Sequence, residues 1–390
     1  MIRGISTDPL NRTRFPVEPW RFVEREYSSA DLGTTETLFA VGNGFLGMRG
    51  NPGEGRPSYA HGTFVNAFHE TWPIHHAEAA FGFAETGQTI INAPDAKVIK
   101  IYVDGEPLTL SISDLEHYER ALDFRAGQLI RDIIWRTPAG KRVRIRSSRM
   151  VSFTDRSIAL FDLEVEMLDG DAPIVLSSQI VNRQDGGSDY YSPSETKEGF
   201  DPRRSSGFGW RVLEPQLQWS DDTRMLLGFR AAHSGMTCLV GADHHFETDN
   251  PYEVDTHIDP DVAKAVFRIE AKQGKPVRLR KSVAYHTSRG VVVRELADRA
   301  NRNLDRVRDL GFEHFEQQQR AWLDEFWANS DVEIGGRPAI QQAVRWCLFQ
   351  LAQATARSDQ LGIAAKGVTG SGYEGHYFWD TEIYLVPFLI

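Results

Sequence analysis

Hydrophobic and polar residues alternate along most of the first three quarters of the chain. In the segment KVIKIYV, for example, Ile99, Ile101 and Val103 fall on one side, just before an Asp-Gly turn. A repeat of two residues is typical of a β-strand with one buried face. Comparable segments continue from about Glu36 to Ser288, interrupted by a long polar stretch at Gln184–Gly209 that predicts a loop. The pattern predicts antiparallel sheets that pack face to face as a large β-sandwich.

After about Val291 the hydrophobic spacing becomes helical, with apolar residues recurring every three or four positions. The first predicted stripe consists of Leu296, Ala300, Leu304 and Val307, and the second of Phe315, Trp322, Leu323 and Phe326. A third helix is predicted to begin near Pro338. Its predicted buried face consists of Ile340, Val344, Cys347, Leu348, Leu351 and Thr355. The chain is therefore expected to be mainly β, followed by α.

The overall charge disfavours nucleic acid and anionic membrane surfaces as main partners. The 390 residues carry a formal net charge of −10 at pH 7, so a negatively charged partner would be repelled. The densest basic run, Lys141–Arg149, alternates with Val143 and Ile145. This alternation predicts a strand with one solvated face rather than a binding patch.

Cysteine usage and the N-terminal sequence favour a reducing, cytoplasmic location. Cys238 and Cys347 are far apart, so they form neither a disulfide framework nor a zinc-binding pattern. Both are expected to be buried apolar residues. The N-terminal residues contain no apolar core of a signal peptide, and no later segment resembles a membrane span.

Two glycine-rich segments, Gly42–Gly47 and Gly370–Gly375, match the G-x-G-x-x-G pattern of dinucleotide-binding folds. That pattern requires a strand before it and a helix after it. Glycines and prolines follow the first segment and three aromatic residues follow the second, so neither is expected to bind a dinucleotide. The glycines between Gly42 and Gly53 indicate instead a backbone that passes close to another surface. We favour a tight corner of the sandwich, with a loop beside a ligand pocket as the alternative.

The histidines and carboxylates near position 70 do not form a metal-binding pattern. The group consists of His69, Glu70, His75, His76 and Glu78. Its spacing differs from that of the helical pairs that chelate metals, such as H-E-x-x-H. We expect these residues in loops or at the surface, as for Asp243–His245 at the predicted end of a strand. The sequence also lacks the Gly-x-Ser-x-Gly and P-loop patterns, which leaves serine hydrolase and nucleoside triphosphatase chemistry without support.

The closing stretch, GVTGSGYEGHYFWDTEIYLVPFLI (Gly367–Ile390), contains the most distinctive chemistry. The flat rings of Tyr377 and Trp379 suit the C–H faces of a sugar, and Asp380 and Glu382 can accept hydrogen bonds from its hydroxyl groups. Glycosidic cleavage requires a carboxylic acid and a second group that supplies or activates a nucleophile. In the alternative interpretation, Asp380 caps an apolar helix that begins at Glu382. The two interpretations are compatible.

This stretch and the segment ETLFAVGNGFLGMRGN resemble glycoside hydrolase family 65, and the resemblance extends over essentially the whole chain. The family comprises inverting phosphorylases of maltose, trehalose, kojibiose or nigerose, and related hydrolases such as acid trehalase. The resemblance implies a large antiparallel β super-sandwich, a helical linker and the beginning of an (α/α)6 catalytic barrel. We place these parts at residues 1–288, 289–336 and 337–390.

The resemblance also implies roles for individual residues. Trp379 and Asp380 match the family's Trp-Asp pair, which holds the non-reducing glucose. Further residues of the motif receive no defined role, namely Tyr373, His376, Phe378 and Glu382. The family's general acid is a glutamate further downstream, followed by the phosphate-binding loop, so no catalytic residue is expected in this chain. The chain alone is therefore expected to be inactive and to represent roughly the first half of a family member.

The identity of the reaction stays open. Neither a cofactor nor a metal is expected, whereas inorganic phosphate would be the co-substrate of a phosphorylase. A hydrolase would have a second carboxylate in place of the phosphate loop. The expected ligand is a disaccharide or glucose, and a homodimer is an open possibility. The main alternative is a non-catalytic carbohydrate-binding or scaffold β-sandwich, whose own aromatic residues would hold the sugar.

Overall fold

The computed structural model describes residues 8–78, 80–182, 208 and 210–389. Apart from Phe208, the polar stretch predicted as a loop at Gln184–Gly209 lies outside the described residues. Strands β1 to β10 are Val17–Glu18, Arg21–Glu24, Val41–Gly42, Leu46–Met48, Thr63–Pro73, Thr86–Asn92, Ile99–Val103, Glu106–Pro107, Asp114–Asp123 and Gln128–Arg136. Strands β11 to β19 are Arg142–Val151, Ile158–Met167, Ala172–Val181, Leu213–Asp221, Arg224–Ala231, Thr237–Thr248, Tyr252–Ile258, Val262–Ala271 and Val277–Ser288. Helices α1 to α6 are Leu32–Leu38, Val293–Leu310, Phe312–Ser330, Pro338–Thr355, Asp380–Tyr384 and Val386–Leu389, and a 3-10 helix spans Gly372–Gly375.

The strands form three antiparallel sheets. The largest has ten strands in the order β1-β2-β9-β10-β11-β12-β19-β16-β15-β14. The second has five strands in the order β17-β18-β13-β7-β8, and the third has four in the order β3-β4-β5-β6. Many neighbours are consecutive hairpin partners, and β19 joins two groups of hairpins by pairing with both β12 and β16.

The two larger sheets bury apolar side chains in a common core. Ile101 and Val103 of β7 are at most 1% exposed and belong to the same core as Val143 and Ile145 of β11. The residues between them in each strand are half-buried or exposed, as the two-residue pattern requires. Each buried aliphatic side chain contributes roughly 1.5–3 kcal/mol. The prediction of a large antiparallel β-sandwich followed by helices is confirmed.

Helices α2 and α3 cover the other face of the ten-stranded sheet. Leu296 and Leu304 of α2 pack against Leu239 and Ala284 of the sheet, and Phe315 of α3 packs in a separate cluster with residues of β11 and β12. The predicted stripe of α2 therefore faces the sheet. In the predicted stripe of α3, Phe315 and Leu323 are buried, whereas Trp322 and Phe326 are half-buried and stack on each other. The last strand ends at 288, α2 begins at 293 and α4 at 338. The division into domains at 1–288, 289–336 and 337–390 stays a prediction.

Helix α4 buries a different face from the one predicted. Its buried residues are Gln341, Gln342, Arg345, Phe349, Ala352 and Gln353. By contrast Ile340 is 42% exposed, and Cys347 is exposed, so the prediction of a buried Cys347 was wrong. The prediction for Cys238 was correct, since that thiol is buried in β16.

The polar side of α4 is buried because it satisfies backbone groups of the N-terminal segment. Gln342 Nε2 donates to the Arg21 carbonyl oxygen at 2.9 Å, and Gln353 Oε1 accepts from the Gly42 amide at 2.7 Å. Arg345 lies over the Trp20 ring, 3.7 Å from its centroid. A buried backbone group without a partner is costly, so this hydrogen bonding outweighs the usual preference for an apolar contact face.

His286 makes the stability of the β19–α2 contact sensitive to pH. Its Nε2 lies 2.7 Å from Asn303 Oδ1 of α2, and burial lowers its pKa to about 4 from an ordinary value of 6.5. Between these two values the unfolded chain binds more protons than the folded one. Stability contributed by neutral His286 is thus complete above pH 6.5 and is lost as the pH falls towards 4.

We predict that His286→Gln, which keeps a hydrogen-bonding side chain without a titrating ring, loses less stability upon acidification. The difference in slope should approach about 1.4 kcal/mol per pH unit between pH 6.5 and 4. Urea unfolding at a series of pH values measures it. His257→Gln, at an exposed strand position, is the control and should follow the wild type. Equal slopes for all three proteins would contradict the assignment.

Candidate functional site

The predicted site residues lie in the segment between α4 and the end of α5. At Gly375, which has φ of +73°, this segment lies directly against β6. A Cβ atom at this position would be only 2.7 Å from Ile90 Cβ, so the approach requires glycine. His376 Nε2 lies 2.9 Å from the carbonyl oxygen of Gln88, also in β6. His376 therefore attaches the segment to the four-stranded sheet.

Asn66 of β5 holds the same segment from the other side. Tyr377 Oη donates to Asn66 Oδ1 at 2.8 Å, and Asn66 Nδ2 donates to the carbonyl oxygens of Gly362 and Gly44 at 2.9 and 2.8 Å. Burial raises the pKa of Tyr377, so its hydroxyl keeps its proton and remains a donor. Asn66 is only 2% exposed. The sequence reasoning missed Asn66 because its partners are about 300 positions away or are backbone atoms.

Trp379 and Asp380 lie two and three residues after Tyr377, and both are exposed to solvent. Trp379 is 72% exposed and Phe378 is 43% exposed, and Asp380 and Glu382 are also exposed. Asp380 is the first residue of α5, and no side-chain hydrogen bond caps this helix. The interpretation of Asp380 as a helix cap is therefore wrong.

The helix predicted after Glu382 is divided into α5 and α6. Leu385 lies between the two helices, and Pro387 has no N–H group with which to continue the hydrogen-bond pattern of α5. Phe388 of α6 contacts Phe326 of α3, with ring centroids 6.5 Å apart.

Tyr373 shapes the segment through its backbone and its ring. Tyr373 and Glu374 have φ values of +51° and +57°, a left-handed conformation that costs free energy for residues with a Cβ atom. The Tyr373 ring meets the Phe378 ring edge to face at 5.6 Å, and the Lys366 ammonium lies 5.6 Å from its centroid. The structure thus places Tyr373, Phe378 and Trp379 in one exposed aromatic stretch, whereas His376 contacts the sheet. Their role in substrate binding stays a prediction.

The glycine-rich segment after position 41 is a hairpin that packs against the segment after α4. Strands β3 and β4 pair directly, so the strand-to-helix arrangement of a dinucleotide site is not formed. A Cβ atom on Gly47 would lie 2.0 Å from the Val368 carbonyl oxygen, and one on Gly44, which has φ of +87°, would lie 2.6 Å from the Ala354 carbonyl oxygen. The expected close approach to another surface is present, and that surface leads into the candidate site.

The residues considered for a metal site do not converge on one point, and Glu70 and Asp243 interact with different partners. Within the described ranges, no cluster of three or more histidine, cysteine or acidic side chains is placed to hold a metal. Glu70 was expected in a loop or at the surface, but it is fully buried in β5 and accepts hydrogen bonds from the amides of His233 and Ser234. Asp243 was expected at a strand end, but it is buried inside β16, where it forms ion pairs with the buried Arg224 and with the exposed Arg308.

Helices of the described residues are too short or too polar to cross a membrane.

Two sequence models match the chain, namely the N-terminal domain of glycosyl hydrolase family 65 over residues 22–326 and the central catalytic domain of that family over residues 345–390. The chain belongs to glycosyl hydrolase family 65.

Several relatives are similar over almost the whole chain. An uncharacterized glycosyl hydrolase of Mycobacterium tuberculosis is 38% identical over 97% of this chain and 47% of its own length. The α,α-trehalose phosphorylase of Thermoanaerobacter brockii is 33% identical over 97% of this chain and 49% of its own. The solved structure of a putative kojibiose phosphorylase from the human microbiome has a TM-score of 0.82 and 22% identity, covering 96% of this chain and 47% of that one. The chain thus spans about half the length of these relatives, and the solved structure shares its fold.

We predict that Gly47→Ala loosens the contact between the hairpin and the candidate site. Its Cβ atom would meet backbone atoms of Val368 that have no space to move away, so we expect a loss of about 1–3 kcal/mol in stability. Limited proteolysis after α4 should become faster. Gly335→Ala, where a Cβ atom would meet nothing within 4 Å, is the control. Equal unfolding free energies and cleavage rates for both variants would refute the prediction.

Proposed function

We propose that this chain provides the glucose-holding part of an enzyme that cleaves an α-glucosidic disaccharide. One observation carries the proposal, namely that Trp379 and Asp380 are adjacent and exposed at the end of a segment fastened to the four-stranded sheet. The Trp379 ring would stack on one face of the non-reducing glucose. The Asp380 carboxylate would accept hydrogen bonds from its hydroxyl groups, and such charge-assisted hydrogen bonds are about twice as strong as neutral ones.

Hydrogen bonds from the segment to the four-stranded sheet hold Trp379 and Asp380, the proposed sugar clamp, in a fixed position. The side chains of His376 and Tyr377 form hydrogen bonds with the Gln88 carbonyl and with Asn66, so the backbone two residues before Trp379 is held against the sheet. A site held within about 0.5 Å of its working geometry binds more tightly because less conformational entropy is lost upon binding. Tyr373, Phe378 and Glu382 would border the sugar, and His376 would act only through its contact with β6.

For the whole protein we propose inverting phosphorolysis or hydrolysis of a disaccharide of the maltose, trehalose or kojibiose type. Relatives named as trehalose, kojibiose and maltose phosphorylases support this substrate class. A protonated carboxylic acid would donate to the glycosidic oxygen while phosphate, or activated water, attacks the anomeric carbon from the opposite face. In a phosphorylase, inorganic phosphate would be the co-substrate. On this proposal residues 1–288 form the super-sandwich, 289–336 the linker and 337–390 the first part of the catalytic barrel.

We predict that the chain binds a glucose-containing disaccharide through Trp379 and Asp380. Asp380→Ala should weaken binding about tenfold or more, because a hydrogen bond to a charged group contributes about 1.5–3 kcal/mol. Trp379→Ala should weaken it comparably through loss of the stacking surface. Calorimetric titration with maltose, trehalose and kojibiose measures both effects.

The controls for this titration remove the same side chains at distant exposed positions. Trp219→Ala acts on strand β14, and Asp255→Ala acts on an exposed carboxylate of strand β17. Both should bind as the wild type does. Binding that survives Asp380→Ala and Trp379→Ala but is lost in Trp219→Ala would favour the non-catalytic sandwich module. Absence of binding by the wild type would contradict a clamp formed by these residues.

We further predict that the 390-residue chain has no turnover, because the acid that protonates the glycosidic oxygen is expected outside it. Incubation with maltose, trehalose or kojibiose, with and without inorganic phosphate, should release neither glucose nor glucose 1-phosphate in coupled enzymatic assays. Product release by the purified wild type that disappears in Asp380→Asn would show that the expectation is wrong and would assign a catalytic role to Asp380.

A further inference from the structure

Three arginines lie side by side on the inner face of the ten-stranded sheet. Arg131 of β10 is directly opposite Arg120 of β9, and Leu129, two residues before it, is opposite Arg149 of β11. Because side chains two residues apart share a face, all three guanidinium groups point into the sandwich. They are 6%, 8% and 6% exposed for Arg120, Arg131 and Arg149 respectively. Like charges on neighbouring strands repel one another, so each needs compensation.

Two of the three have a buried carboxylate as partner. Glu24 lies 2.6 Å from Arg120, and Glu54 lies 2.5 Å from Arg131. Arg149 differs, because its guanidinium donates to the carbonyl oxygens of Arg49 and Asn51 at 2.9 and 3.0 Å. No ion pair to Arg149 is formed within the described part of the chain.

The charge on Arg149 persists in the folded protein. Burial lowers its pKa to about 10, which leaves the group protonated at neutral pH. A buried cation without a counterion is strongly unfavourable, since backbone carbonyls offset only part of the lost hydration. The nearby Asp95 is already paired with Lys97, so Arg149 has no ion-pair partner of its own among the described residues.

A cavity of about 50 Å³ adjoins these groups. Its lining includes Asn51, Glu54, Arg131 and Arg149 on one side and Ile99 and Ile101 of β7 on the other. Three buried polar atoms of this lining have no hydrogen-bond partner among the residues that the structure describes, namely Arg131 Nε, Arg149 Nε and Asn51 Oδ1. Two are donors and one is an acceptor. Buried polar atoms in proteins are rarely left unsatisfied, so the three point to a bound species.

The carboxylates of the lining are already paired. Glu54 accepts from both terminal nitrogens of Arg131, and Asp162 forms ion pairs with Arg278 and Arg280. Neither can shift to Arg149 without leaving another cation unpaired. The described residues offer the cavity no further carboxylate for Arg149, which favours a bound anion as the source of the compensating charge.

We propose that this cavity in the sandwich binds a small oxyanion that carries one hydroxyl group, with hydrogen phosphate as the fitting species. Two of its oxygens accept hydrogen bonds from Arg131 Nε and Arg149 Nε, its hydroxyl group donates to Asn51 Oδ1, and its charge compensates Arg149. Chloride and sulfate supply charge but no donor for Asn51. A single water needs about 10–15 Å³, so the space is sufficient for a few waters or one such anion.

This oxyanion site is separate from the proposed sugar clamp. Its lining includes neither Trp379 and Asp380 nor Asn66 and Gln88, which hold their segment. The inference therefore does not depend on the proposed function. It implies that phosphate stabilises the β-sandwich itself.

The test is the thermal unfolding of the 390-residue chain in inorganic phosphate, sulfate or chloride at equal ionic strength and pH 7.5. A ligand that binds only the folded state raises the melting temperature with its concentration. We expect this rise for phosphate, with sulfate at least tenfold weaker. Arg149→Gln should weaken the phosphate response at least tenfold. Arg146→Gln, on the same strand but on the solvent face with Glu164 as its partner, should respond as the wild type does.

If Arg149→Gln does not fold, the site can still be tested with the wild type. Its crystals are soaked in arsenate and the bound anion is located by anomalous diffraction. Arsenate has the shape and hydroxyl group of phosphate, and arsenic gives an anomalous signal. A peak between Arg131 and Arg149 is the expected result. No peak there, together with equal melting temperatures in phosphate and chloride, would overturn the proposal and leave the cavity to water. Sugar titrations of the Trp379 and Asp380 variants are unaffected by either outcome, so the two proposals fail independently.

Discussion

The position of the candidate sugar site depends on a backbone contact between the glycine-rich hairpin and the segment that follows α4. Gly47 and Val368 approach so closely that a single added Cβ atom would overlap a carbonyl group. Backbone groups in such a contact cannot reach water, so side chains must satisfy them. Gln353 does this for the Gly42 amide, and Asn66 for the carbonyls of Gly44 and Gly362. The contact thereby fixes the position of the backbone segment that precedes Trp379.

The same requirement explains the orientation of α4. A helix with apolar residues on one side normally buries that side, yet here the glutamines and Arg345 face the sandwich. The N-terminal segment presents carbonyl groups that only donors can satisfy, and Gln342 and Arg345 reach them. The sandwich therefore does more than support the helical part. It determines the direction in which the site segment leaves α4.

Charge is organised differently on the two faces of the ten-stranded sheet. On the outer face of β11, Arg142, Arg144 and Arg146 each pair with a carboxylate at or near the surface, and such exposed pairs contribute little to stability. On the inner face, Arg149 is buried beside other arginines and has no such partner in the described ranges of the chain. The strand prediction from alternation was correct for this run. The same alternation implies that Arg149 points inwards, but only the neighbouring strands show that its charge is uncompensated.

By itself the sequence determined the order of β and then α, the faces of the strands and of α2, and the aromatic-acidic segment at Trp379 and Asp380. These follow from local periodicity and residue chemistry, which do not depend on distant parts of the chain. Tertiary structure decided which face α4 buries, that Cys347 is exposed, and that Asn66 holds Tyr377. Each of these depends on a hydrogen-bond partner or a steric contact supplied by a residue remote in sequence, and no local pattern encodes such a pairing.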